Sequence, residues 1–167
     1  MRIDDAVNLE CSDEFIRAAE CYEMILNDCP DNITAFINLL VLYWQSTDYG
    51  FSSSAGLPAS FVKFAGDRLA EILDSPPSNF SEDPEFQFWL KYIAWADLGD
   101  KFEIEECYGL MRRKSEYYEP AIFIYLTTVG EHAANEVEKL LLLVQRQCTA
   151  RDRYIHSVVM GIKTRLS

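Results

Sequence analysis

An all-α fold is what this sequence predicts, and three observations predict it. Apolar residues recur at spacings of three and four along most of the 167 residues. Proline and glycine fall where those runs stop. No segment alternates apolar and polar side chains over the length of a strand. About eight helices result, in one domain over 1–167.

Residues 1–9 predict a short first helix with Ile3, Ala6, Val7 and Leu9 on its apolar side. Ser12 is placed to cap the next helix, where Asp13 and Glu14 suit the positive end of the helix dipole. In that helix Phe15, Ala18, Ala19, Tyr22, Ile25 and Leu26 share one stripe, which must be buried. Pro30 ends it. Asp31 or Asn32 then caps a helix presenting Phe36, Leu39, Leu40 and Tyr43, antiparallel to the one before.

Residues 46–60 are rich in Ser and Gly and predict an inserted loop. Pro58 suits the first turn of a helix carrying Phe61, Phe64, Ala65, Leu69, Ile72 and Leu73, which stops before Pro76. Asp83 and Pro84 predict the cap and first position of the next helix, and Gly99 its left-handed end. Asp100 with Glu103 has the spacing of a capping box for the helix after that. Further helices are predicted over 118–129, over 132–148 and, with a basic face, over 149–166. Residues 139–167 hold Lys139, Arg146, Arg151, Arg153, Lys163 and Arg165 against Asp152 alone, a solvated face on the last helix.

Ala18, Tyr22, Pro30, Phe36, Leu39 and Tyr43 resemble the tetratricopeptide-repeat motif, read from its second helix into the next repeat's first. The spacing Ala65, Leu69, Ile72, Pro77 repeats Ala18, Tyr22, Ile25, Pro30, and the string ECYGLM echoes ECYEMI. This resemblance implies helix pairs stacked as a short right-handed solenoid, and a scaffold that binds protein without naming the ligand. Leu40 and Tyr92 are bulkier than the small residue that the family places at those positions.

A formal charge of −12 disfavours nucleic acid and anionic membrane, and favours a basic polypeptide partner. Five scattered cysteines with no Cys-x-x-Cys predict free thiols in a reducing, cytoplasmic setting. No apolar stretch approaches the roughly 20 residues of a membrane span. No phosphate loop, nucleophile elbow or histidine-nucleophile pattern is present, so no catalytic residue and no cofactor is predicted.

The functional expectation is a non-catalytic module for a protein or peptide partner, of the kind that serves as a dedicated neutraliser or chaperone (an immunity protein or a secretion chaperone). A homodimer is left open. Ile37, Val41, Trp44, Phe86, Trp89 and Ile93 exceed what packing within a helix pair needs, so they are the predicted partner-binding set. Either they line an accessible face, or the last helix or the 46–60 segment covers them as core. The rival reading is a helical metal-binding domain or enzyme, built from the i,i+4 pairs His132 with Glu136 and Asp152 with His156.

Overall fold

The computed structural model describes every residue except Gln147. Among the described residues the fold is all-α, with ten helices, one short 3-10 segment and no strand. No helix among them is long and apolar enough to cross a membrane. The chain divides into two compact units, Met1–Ser81 with Cys148–Arg151 and Glu82–Gln147 with Asp152–Ser167.

In the first unit α1 (Ile3–Cys11), α2 (Phe15–Asp28) and α3 (Ile33–Thr47) follow one another through tight turns. Asn32 caps α3 as its position predicts, accepting from the Ala35 amide at 3.0 Å. Ser12 does not cap α2. It ends α1 instead, its N–H donating to the Asn8 and Leu9 carbonyls, and the chain reverses at Asp13 in the left-handed region, φ 60°. Helix α2 therefore starts after Glu14 with no side-chain cap.

The predicted 46–60 loop is largely helical. Asp48 closes α3 and caps a short α4 (Tyr49–Ser54), accepting from the Phe51 amide at 2.8 Å. Phe51, Ala55 and Leu57 pack on the core of this unit, with the Phe51 ring 5.0 Å from that of Phe15. Partly buried apolar anchors packed on the core thus override the local Ser and Gly preference. Helix α5 (Ala59–Asp74) begins after Pro58 and buries Phe61, Ala65, Leu69 and Ile72.

The core of this unit also holds a polar cluster. Glu10 is fully buried and accepts from the Tyr22 hydroxyl at 2.7 Å and from the Ala150 amide at 2.6 Å, while the Asn38 amide donates to the Tyr22 oxygen at 3.1 Å. Beside it Cys11 and Cys148 form a disulfide across 137 residues, which overturns the expectation that all five cysteines are free. Sequence spacing gave no hint of it, because Cys11 ends α1 and Cys148 lies just before the last helix, and only the fold brings them together. The scattered cysteine pattern therefore no longer argues for a reducing compartment.

In the second unit Asp83 accepts from the Glu85 and Phe86 amides at 2.8 and 3.2 Å and caps α6 (Pro84–Leu98), which ends on Gly99 at φ 73°. The capping box before α7 (Ile104–Arg113) is Glu103 with Glu106, three residues beyond the predicted Asp100 and Glu103. The reason is Phe102, which is buried with its ring 4.5 Å from Phe123, so the chain must reach it before helix can start. Tyr108 on α7 is only half-buried, unlike its echo Tyr22. Helices α8 (Ala121–Thr127), α9 (Ala134–Leu143) and α10 (Ala150–Leu166) follow, the first two shorter than the sequence predicts. An aromatic core joins α6 to α8 and α10: Trp95 stands edge-on to Phe123 at 5.0 Å, and the Tyr92 and Tyr154 hydroxyls are 2.7 Å apart.

Candidate interaction surface

All six residues of the predicted partner-binding set are buried. Ile37, Val41, Trp89 and Ile93 are fully inaccessible, Phe86 is 3% exposed and Trp44 6%. The expectation that part of this set is accessible is therefore corrected: these side chains are core. Every residue of α3 from Ala35 to Trp44 is buried, so a helix that is apolar nearly all round is covered nearly all round. Trp89 also satisfies its indole inside the second unit, donating from Nε1 to the buried Glu119 carboxylate at 2.6 Å.

The histidine pairs do not gather into a centre. His132 lies exposed in the turn before α9, so the helical i,i+4 relationship to Glu136 does not form. Asp152 and His156 lie on α10. Among the described residues no group of three or more His, Cys, Asp or Glu is placed to hold a metal ion.

What the first unit does expose is a groove between α2 and α5. Both helices pack on α3. Its upper part, about 480 Å³, is lined by Ile16, Ala19, Glu20, Glu23 and Met24 from α2, Tyr43 from α3, and Phe61 and Phe64 from α5. Its lower part, about 320 Å³, is lined by Glu23 and Leu26, by Phe36 and Leu39, and by Arg68, Glu71, Ile72, Ser75 and Pro77. The order of these residues sets α2 and α5 parallel to each other, with α3 antiparallel beneath them as the floor. From Ile16 to Leu26 the groove follows ten residues of helix, about 15 Å.

Two large apolar side chains stand half-exposed on facing walls, Met24 at 48% and Phe64 at 47%. Phe64 meets the floor, its ring edge-on to Tyr43 at 5.9 Å. The waist of the groove is polar. Glu23 accepts from the Tyr43 hydroxyl at 2.8 Å and from Arg68 Nη2 at 3.4 Å, and Arg68 Nη1 donates to Glu71 at 2.5 Å. Burial pushes the Tyr43 hydroxyl pKa up, and the hydrogen bond and charge of Glu23 push it further, so the floor stays a neutral donor. Burial alone lowers the Arg68 guanidinium, but the hydrogen bond to Glu71 and the charge of Glu23 outweigh it.

Sequence reasoning passed over these residues, although one signal was present. Met24 falls off the stripe of Tyr22 and Ile25 and so lacks an internal partner, whereas Phe64 read as part of its own helix's stripe. The cysteines add nothing chemical here: burial pushes the Cys107 thiol up to about 12 and also raises Cys21. No protein-family model, curated protein or solved structure matches this chain.

Proposed function

We propose that this protein is a non-catalytic module that binds a polypeptide, and that the α2–α5 groove of its first unit is where the polypeptide sits. The observation that carries the reading is the pair Met24 and Phe64, half-exposed on opposite walls over an aromatic floor. Large apolar side chains left open to water in a concave site are what interfaces bury, and methionine adapts its shape to whatever it meets.

The helical-repeat resemblance supports the same reading. In the first unit α1 packs with α2, α2 with α3, and α3 with both α4 and α5; in the second α6 packs with α7, α7 with α8 and α8 with α9. Contacts between helices close in sequence are what a tetratricopeptide-like scaffold would have, and the ordinary work of such scaffolds is to hold another chain. An acidic module of this size suits a dedicated neutraliser or chaperone for a basic partner.

The test is selection of peptides from a random displayed library against the purified protein, followed by binding to Met24→Glu and Phe64→Glu variants. Each variant should keep the circular dichroism and melting temperature of the parent, because both positions are half in water, and should lose the selected peptides. Retained binding in both folded variants contradicts the proposal.

A further inference from the structure

We propose that the occupant of the α2–α5 groove is a cationic amphipathic helix, about three turns long, that lays an apolar stripe between Met24 and Phe64 and presents Lys or Arg to Glu20 and Glu71. This deepens the reading above and rests on it.

The chemistry of the occupant is written in the groove by Arg68. A guanidinium of this chain already lies between Glu23 and Glu71, so those carboxylates are spaced to receive a planar cation with several donors. Glu20 and Glu71 are both exposed at the rim, where a second cation can approach without displacing Arg68. The surrounding unit repeats the sign: Met1–Ser81 with Cys148–Arg151 holds thirteen Asp and Glu against five Lys and Arg. A cationic segment is thus drawn in by the whole unit and then oriented by two named carboxylates.

The shape of the occupant follows from the walls. Two parallel helices on a helical floor leave a trough whose ridges match those of another helix, and a length of about 15 Å takes three turns. The recognition mode is a helix in a groove, read by apolar residues at three- and four-residue spacing with charges beside them.

Three 14-residue helical peptides with one apolar stripe, differing only in whether the flanking positions are Lys, Gln or Glu, test this by calorimetric titration. The Lys peptide is expected to bind about tenfold tighter than the Gln peptide. Its advantage should shrink at about 0.5 M salt, and it should disappear in the Glu20→Gln, Glu71→Gln double variant, which should bind the Lys and Gln peptides alike. Equal binding of the Lys and Gln peptides would overturn the charge assignment and leave the polypeptide-binding reading standing. An advantage for Lys that survives in the double variant would place the cation elsewhere and overturn the assignment to Glu20 and Glu71. Failure of all three peptides would count against this inference, and library-selected peptides that bind and compete at Phe64 would still uphold the broader function.

Discussion

The Tyr22 hydroxyl donates to Glu10 at 2.7 Å in a place where neither residue touches solvent, and the same carboxylate takes the Ala150 amide from 140 residues away. A buried carboxylate bonded to two donors is costly to disturb from either side. Tyr22→Phe leaves Glu10 and the Asn38 amide without their shared partner and should cost about 1–3 kcal/mol, while Tyr22→Ala, which also empties a fully buried ring, should cost about 3–5 kcal/mol. Urea unfolding at neutral pH checks both. Tyr108→Ala, at a half-buried position, should cost less than Tyr22→Ala in the same assay.

Joining Cys11 to Cys148 closes a loop of well over a hundred residues, and a covalent closure of that length removes much entropy from the unfolded chain. Reduction should lower stability on the order of 2–5 kcal/mol and leave the folded spectrum unchanged. Thermal melts with and without a dithiol, on the parent and on Cys11→Ser, measure this. The Cys11→Ser melt should not respond to reductant, since Cys148 then lacks its partner, Cys21 and Cys107 are buried thiols and Cys29 has no disulfide partner.

Trp44→Glu and Trp89→Glu should each abolish folding or yield aggregate. Both side chains are core, and at Trp89 the new carboxylate would stand against Glu119, which loses its indole donor. Soluble expression and near-ultraviolet circular dichroism report the outcome. A well-folded Trp89→Glu protein would contradict the burial described for α6.

Stability should fall on the alkaline side. Burial raises the hydroxyls of Tyr22, Tyr43 and Tyr92, takes Tyr154 to about 12, and takes the Cys107 thiol to about 12, whereas their unfolded counterparts ionise near 10 for tyrosine and 9 for cysteine. The folded state holds these protons more tightly, so the contribution is complete below about pH 9. It is lost as pH rises from there to about 12, because the unfolded state sheds protons first. Urea midpoints between pH 7 and pH 11 should decline from about pH 9, and Tyr154→Phe should lessen the decline.

Much of the fold was legible because local signals and burial agree. Asn32, Asp83 and Gly99 do in the structure what their positions in the sequence predict, and the stripe from Phe15 to Ile25 is buried as its periodicity requires. Legibility ended where tertiary contacts chose between local alternatives. Phe51 turned a Ser-rich loop into α4 by packing on Phe15, and Phe102 delayed α7 by inserting beside Phe123. The accessibility of the predicted set was misread for a related reason: Ile37, Val41 and Trp44 are apolar and off the stripe, but a helix can be covered on every side, and periodicity cannot distinguish that from an open face. Met24 was legible as an unpartnered residue. Its opposition to Phe64 was not, since it depends on α2 and α5 lying parallel over α3.

Chemical-shift mapping of the isotope-labelled protein during titration with a library-selected peptide tests the central claim most directly. The largest amide and methyl perturbations should trace Ile16 to Leu26 and Phe61 to Ile72, with the Met24 methyl among the strongest. Perturbations that leave both wall helices unmoved and gather on α7 to α9 would contradict it.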